Sequence, residues 1–241
     1  MKKAKKLLIG IGVTTAIPAA MFVIMLLVTR ANGIAYYGKS GMWRTIFTNL
    51  GTTLTMGCAI AMQLRNGRMD FSGGITMLLP AILGGYYAVR WGLSPYQMLA
   101  VCVICSVVLS LVTATVYTVS KLPIIICTIA LALLYEAFTP IVAEGMGINI
   151  INNNYLNIFG RMPLVVIVPA IALVFYHITT NYTTVGRRGN LLNQGQRVAV
   201  NIGVNEKRNV FFTYIFSGIL FGLAATIYVS QNRAETQSNF S

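Results

Sequence analysis

Glu136 is the one carboxylate inside a long apolar stretch of this sequence, the run Ile124–Ala143. It lies twelve residues beyond Ile124, which is about 18 Å along a helix. A carboxylate in the apolar part of a membrane costs several kcal/mol unless water or a cation compensates it, so such groups are usually functional. It could hydrogen-bond a solute on a transport path. Two structural alternatives stay open: an interhelical salt bridge, or a side chain that reaches the outer surface near Pro140.

Other polar residues could belong to the same path. Thr128, Ala132, Tyr135, Glu136 and Thr139 fall on roughly one helical face, as a semi-polar stripe among aliphatic residues. Before the preceding Gly-rich run, an acid and a hydroxyl could cap a helix N-terminus or contact a solute. The candidate residues for a translocation path are Asp70, Ser72, Thr128 and Glu136.

No catalytic constellation is visible. The single histidine, His177, has no neighbouring carboxylate or nucleophile, and there is no phosphate-binding GxxxxGK[ST] motif. If ATP drives this protein, another chain must bind it. The four cysteines, which we interpret as packing residues, fall within apolar runs: Cys58, Cys102, Cys105 and Cys127. The sequence predicts neither an enzyme, a metal site nor a cofactor.

Composition assigns the chain to membranes. Of its 241 residues, 56% are hydrophobic and 10% charged, and its mean hydropathy is +0.71. Soluble domains carry roughly 25% charged residues. The net charge of +13 is spread between apolar runs and forms no single stripe, which argues against a nucleic-acid partner. We expect an all-α, polytopic transmembrane bundle in the cell membrane, in contact with the lipid bilayer.

About seven apolar runs are long enough to span the membrane. The first follows the basic head MKKAKK and is longer than the apolar region of a signal peptide. The third contains several glycines and Pro80, so an irregular backbone is expected there. The predicted spans are Leu7–Val28, Ile46–Leu64, Gly73–Val89, Pro95–Val119, Ile124–Ala143, Pro163–Thr180 and Val210–Val229.

The basic residues predict that the N-terminus is cytoplasmic. With the head inside, 12 cations fall on the cytoplasmic side and 6 outside, as the positive-inside rule requires. Trp43 and Trp91 then lie at the outer interface, where aromatic residues concentrate. The inside cations include Arg65 and Arg68, which belong to a short polar link between the second and third spans.

The segment Asn181–Asn209 is the long polar stretch late in the chain. It carries five cations and one acid, Glu206. Within it, Leu191–Val204 mixes aliphatic and polar residues, a pattern typical of a short helix on a membrane face or in a partner's groove. The alternative is a solvated basic loop.

Three stretches together resemble the permease subunits of bacterial ATP-binding-cassette importers for ribose-like and related simple sugars, the branched-chain amino acid/ribose-type permease family. Gly67–Gly74 is similar to the family's G-G-I-D-L-S-x-G stretch, and Lys121–Thr128 to its R-[IL]-P-P-F-I-x-T-L stretch. Gln194–Gly218 is similar to the family's G-x-N-x-x-A-A-x-x-x-G-I loop and the Y-x-x-S-G span that follows.

The resemblance implies a sugar-import channel in which residues 181–209 form a cytoplasmic coupling loop. That loop would dock into an ATPase subunit, while a separate solute-binding protein delivers the substrate outside. A second permease chain, identical or related, would complete the channel. The implied coupling residues are Gly195, Arg197, Ala199, Gly203 and Val204.

The sequence departs from the family pattern in two ways. Glu136-Ala137 stands where the family often has Arg-Gly, so its substrate preference does not carry over. Family members usually continue through further spans, so we expect residues 1–241 to be one permease domain truncated at its C-terminus. Two rivals remain: a secondary transporter that uses Glu136 for ion coupling, and a membrane-embedded enzyme.

Overall fold

The protein is described as a computed structural model. It covers residues 2–33, 38–142, 144–145 and 147–235, with the backbone alone at residues 2–15, Arg44, Gln196 and Arg197. The predicted all-α bundle is confirmed, and a short 3₁₀ turn, Leu156–Ile158, precedes the sixth helix. The α-helices are α1 Lys2–Ala31, α2 Ser40–Leu64, α3 Gly73–Arg90, α4 Pro95–Ser120, α5 Ile124–Val142, α6 Leu164–Tyr182, α7 Thr184–Gln194, α8 Gln196–Asn201 and α9 Glu206–Gln231.

Each of the seven predicted spans forms a helix, but not all are equally suited to a membrane. Within the described residues, α4, α5, α6 and α9 are long and apolar enough to cross one, and Ala16–Ala31 of α1 is a shorter apolar stretch. Helices α2 and α3 are less apolar, because α2 contains Asn49 and Gln63 and α3 ends on Arg90. By this criterion four of the seven predicted spans are supported.

The chain divides into two compact units, residues 1–47 and residues 48–241. In the first unit, the rings of Phe22 and Trp43 pack with their centroids 5.8 Å apart. The second unit contains both regions to which the sequence assigned functional residues. The remaining description concerns that unit.

Helix α9 is the central element of the second unit. About 67% of the most apolar 18-residue stretch of α9 is buried, whereas the corresponding value is 28% in α4, 28% in α5 and 33% in α6. Gly218 and Gly222 bring it against α4: a Cβ atom at Gly218 would lie 2.9 Å from the Cα of Val107, and one at Gly222 would overlap the Cα of Val103. The close packing predicted from this small-xxx-small pair is confirmed.

Helix α3 is continuous, so the irregular backbone predicted for it is wrong. Its glycines permit close approach of neighbouring elements instead of breaking the helix. A Cβ atom at Gly84 would overlap the sulfur of Cys102 on α4, and one at Gly85 would lie 2.9 Å from Val229 on α9. Tight packing against α4 and α9 outweighs the low helix propensity of glycine, which costs about 1 kcal/mol per residue.

Polar contacts join the helix ends that lie on the same side of the second unit as α7. We name this side the α7 end. Arg65, just after α2, donates from Nη2 to Oδ1 of Asn181 on α6, at 2.9 Å. Tyr117, near the end of α4, donates to Oε1 of Glu206 at the start of α9, at 3.4 Å. These contacts join the end of α2 to the end of α6, and the end of α4 to the start of α9.

The opposite end is joined by different contacts. Arg90, the last residue of α3, forms a 3.1 Å ion pair with Glu144, which follows α5. Ile148 and Ala234 form an antiparallel bridge, with N–H···O distances of 2.7 and 2.9 Å. The bridge ties the loop after α5 to the tail after α9.

Gly222→Ala should destabilise the protein, because its Cβ would displace the backbone of α4. Overpacking of this kind costs about 1–3 kcal/mol. Gly57→Ala on α2 is the matched control, since a Cβ there meets nothing within 4 Å and the better helix former should be neutral or stabilising. Thermal unfolding of both variants in detergent measures the effect. Equal melting temperatures would contradict the packing argument.

Candidate functional site

Residues 184–201 fold into two short helices, α7 and α8, which pack together as a hairpin. The sequence predicts a single short helix within Leu191–Val204, and the segment instead forms two helices that meet at Gly195; a simple solvated loop is not what forms. Leu192, Ala199 and Val204 are buried against one another as a small core. The side chain of Thr183 caps α7 by accepting from the N–H of Gly186 at 3.3 Å. The hairpin therefore has its own packing.

Two predicted coupling glycines shape the hairpin. Gly195 joins α7 to α8 in an extended conformation, φ 174°. Gly203 has φ +89°, a left-handed backbone that favours glycine, and it turns the chain toward α9. The backbone N–H of the next residue, Val204, donates to the carbonyl of Ala199 at 3.0 Å and closes the turn. The side chain of Arg197 lies outside the described residues.

The outer face of α8 is apolar and exposed. Val198 and Ile202 are 65% and 64% exposed, and they lie four residues apart, on one side of the helical turn. Val200 is exposed to 47%. Val198 and Ile202 are named the α8 ridge, whereas Val200, two residues from each, lies on the opposite side of the helical turn.

The inner side of α7 lies against the turn between α2 and α3. A Cβ atom at Gly189 would overlap the amide oxygen of Asn66, so the helix backbone touches that side chain directly. Gly67, with φ +72°, lies against Asn193 on α7 in the same way: a Cβ atom at Gly67 would lie 3.1 Å from Oδ1 of Asn193. Nε of Arg65 adds a 3.0 Å hydrogen bond to Oδ1 of Asn190. We name this set of contacts the clamp.

Asn209 extends the clamp to α9. In one orientation of its amide, Nδ2 donates to Oδ1 of Asn66 at 2.8 Å. In the swapped orientation, nitrogen donates to the carbonyl of Val185 at 3.1 Å and oxygen accepts from Nη2 of Arg68 at 3.3 Å. In both orientations this buried side chain joins α9 to the α2–α3 turn. It also lies near the carbonyl of Val185 at the start of α7.

Arg68 is buried, with 5% of its surface exposed. Burial lowers the pKa of its guanidinium, and the opposing contributions come from Tyr214, Tyr117, Glu206 and Asp70, in that order. The sequence placed Arg68 in a short polar link on the cytoplasmic side and did not predict the burial of its side chain. Arg68 is buried by residues that are distant from it in the chain, so the local sequence does not predict its burial.

A cavity of about 370 Å³ lies beside Glu136 on α5. Glu136 is half-buried, and within the described part of the chain no lysine or arginine nitrogen lies within 4 Å of its carboxylate. The interhelical salt bridge left open by the sequence is therefore not observed there. The lining residues come from the turn before α3 and from α3, α5 and α9: Phe71, Gly74, Ile75, Met77, Leu78, Ala132, Glu136 and Tyr228.

The other predicted path residues do not line this cavity. Oδ1 of Asp70 accepts from the N–H and the hydroxyl of Ser72, at 2.8 and 2.6 Å. Ser72 occupies the N-cap position of α3 but makes no side-chain capping bond, so the predicted capping role is wrong for Ser72, whereas Asp70 accepts a backbone N–H bond at the start of the helix. Thr128 is buried, and its hydroxyl accepts from the N–H of Phe71 at 3.3 Å. These residues meet around Phe71, whose side chain reaches the cavity.

The semi-polar face predicted on α5 is divided between two roles. The hydroxyl of Tyr135 donates to the carbonyl of Leu109 on α4 at 3.0 Å, so this residue serves helix packing. Thr139 is also buried and bonds the carbonyl of its own helix. Ala132 and Glu136 alone, of the predicted stripe, line the cavity.

Residues 42–241 match the model of a protein family described as branched-chain amino acid transport system / permease component. The matched region includes the hairpin, the clamp and the cavity beside Glu136. No curated protein and no solved structure matches the chain significantly.

Gly189→Val should loosen α7, because the new side chain would overlap Asn66 in the clamp. Gln194→Val introduces the same residue at an exposed position of α7 and should leave the clamp intact. Limited trypsin digestion at Arg187 and Arg188 reports the difference. We expect cleavage of the first variant to be about tenfold faster, equivalent to about 1.4 kcal/mol. Equal cleavage rates would mean that the clamp does not hold α7.

Proposed function

The chain belongs to the family of permease components of branched-chain amino acid transport systems, and from that membership we propose that it forms the translocation path of an ATP-driven importer of a small polar solute. As a family member it is a multi-pass protein of the cell membrane and a transport subunit. The α7–α8 hairpin is the observation that carries the proposal. It combines an exposed apolar ridge with a clamp onto the spans, as a docking element for a motor requires.

The ATPase chain docks on the α8 ridge from the cytoplasm. Apolar side chains that are exposed in the isolated chain lose that exposure when a partner's cleft covers them, which favours binding. Among the proposed coupling residues, Ala199 and Val204 hold the hairpin together, Gly195 and Gly203 allow its turns, and Arg197 adds charge. A solute-binding protein acts at the opposite end, and a second permease chain completes the path.

ATP-driven closure of the ATPase moves the hairpin, and the clamp transmits that movement to the spans. Gly189 lies directly against Asn66, so α7 cannot move toward the α2–α3 turn without displacing that side chain. Displacement of α7 therefore moves the α2–α3 turn, which leads through Phe71 to the cavity beside Glu136. This connection supports alternating access driven from the hairpin. The ion-coupled alternative gains no support from the family match.

A simple sugar is the proposed substrate. Glu136 offers carboxylate oxygens that accept hydrogen bonds from hydroxyl groups, and the three motifs resemble sugar permeases. The cavity lining favours a second candidate. Ile75, Met77 and Leu78 are apolar, so an amino acid could place its ammonium at Glu136 and an aliphatic side chain against them, in keeping with the family's description.

Ile202→Asp should weaken docking of the proposed ATPase chain, because a charge would enter an apolar contact. Asn201→Asp introduces the same charge at the adjacent exposed residue and is the control. We expect about a tenfold or larger rise in Kd for the first variant alone, in line with losses above 1 kcal/mol at well-packed interface residues. Titration of the ATPase against the permease in detergent measures it. Equal affinities would reject the ridge as the docking surface.

Glu136 variants distinguish the two substrates. Glu136→Gln keeps hydrogen-bond acceptors but removes the charge, so uptake of radiolabelled ribose should change only a few-fold, while uptake of leucine should fall at least tenfold. Glu136→Leu should abolish both. Glu144→Gln, an exposed carboxylate at the opposite end, is the control. ATP-dependent uptake is measured per folded molecule in proteoliposomes, and normal uptake by Glu136→Leu would refute the path role.

A further inference from the structure

The charged side chain of Arg68 is buried and has no close counter-ion. Within the described part of the chain, no carboxylate oxygen lies within 4 Å of its guanidinium. Nη1 is buried and has no hydrogen-bond partner there. Burial of a charge is costly unless it is paired and hydrogen-bonded. The cost must be offset at longer range or in another arrangement of the same groups.

Two acids, one in the turn before α3 and one at the start of α9, act on this charge. Asp70 lies two residues farther along and leads directly into α3, while Glu206 is the first residue of α9. Both favour the charged form of Arg68, with contributions from Tyr214 and Tyr117. The guanidinium is therefore shared between the entrance of α3 and the entrance of α9, and it is tightly bound to neither.

Neighbouring polar groups are also incompletely satisfied. Oε1 of Gln63 is buried without a hydrogen-bond partner in the described structure, and the buried hydroxyl of Tyr214 makes no hydrogen bond within 3.5 Å there, although the side chain of Asp70 lies near it. The carbonyl of Gln63 accepts from the N–H of Arg68 at 3.1 Å, which places the two residues in one turn. Buried polar groups without hydrogen-bond partners destabilise the arrangement that leaves them unpaired. A cluster of them favours a second arrangement in which the partners are exchanged.

The same turn is held by α7. Asn66 lies against Gly189, and Asn209 reaches Asn66, Val185 and Nη2 of Arg68. Movement of α7 therefore shifts the position of Arg68 relative to both acids. The attraction between opposite charges depends on the distance between them, so changes in distance alter which acid is favoured.

We propose that Arg68 is the positioning residue that couples α7 to the spans, by transferring its interaction between Asp70 at α3 and Glu206 at α9 as α7 moves. The inference rests on the proposed transport function. It goes beyond docking, because it assigns the coupling step to a buried charge behind the hairpin and not to the ridge that contacts the motor. Such a charge gives the clamp two discrete arrangements, as a switching element requires.

The test measures coupling separately from folding. Arg68→Met removes the charge and keeps an unbranched side chain, while Arg68→Lys keeps the charge and removes the Nη2 contact. Arg161→Met, at an exposed cation of the loop before α6, is the matched control. Each variant is reconstituted in liposomes with the ATPase chain and the solute-binding protein. The measured quantity is the number of ribose or leucine molecules imported per ATP hydrolysed, using whichever solute the wild type imports.

We expect ATP hydrolysis to persist in both Arg68 variants while the import ratio falls about tenfold, within the range of typical allosteric couplings. The Arg161→Met ratio should equal the wild-type value. A purely structural role would lower folded yield and leave the ratio of the folded molecules unchanged, and this result overturns the inference. If Arg68→Met does not fold, Arg68→Lys decides by the same criterion. Wild-type protein that imports neither solute rejects the proposed function itself, and the inference with it.

Discussion

The close approach of α9 to α4 is the contact on which the rest of the second unit depends. Gly218 and Gly222 let the two backbones touch at Val107 and Val103, and lipid supplies no hydrophobic force between helices, so dispersion at such short range must hold them together. Because α9 is the most buried of the four spans that are long and apolar enough to cross a membrane, its position sets those of its neighbours. Gly73 of α3 fits against Phe221, and Tyr228 reaches the cavity beside Glu136.

The α7 end is held together by polar contacts. Its contacts are polar and buried, so each donor or acceptor must find a partner or contribute an energetic cost. Asn66 and Asn209 meet this requirement through each other and through backbone carbonyls. Arg68 meets it only in part. An apolar centre therefore adjoins a polar junction in which a buried charge lacks a close counter-ion.

The cavity beside Glu136 shows how one helix serves both requirements. Tyr135 anchors α5 to α4 through its hydroxyl, while the next residue turns a carboxylate toward the space beside Phe71 and Tyr228. The side chains of adjacent residues on a helix point about 100° apart. One of two neighbouring residues can therefore serve helix packing while the other faces a functional cavity. The carboxylate is half-buried and has no close cation in the described structure, as expected for a group that hydration or a solute must compensate.

The sequence by itself determined the helical class, the approximate limits of the spans and the amphipathic helices in the segment 181–209, because each depends on composition or local periodicity. Glu136 also stood out by its apolar surroundings alone, and the Gly218–Gly222 pair signalled close packing. Tertiary structure decided the rest. It made α3 continuous through contacts with Cys102 and Val229, and it separated Asp70, Ser72 and Thr128 from the Glu136 cavity. Above all it buried Arg68, which has the same local signature as a solvated loop cation. Burial of a charge depends on Asn209, Tyr214 and Glu206, more than a hundred residues away, and no local pattern reports contacts across that separation.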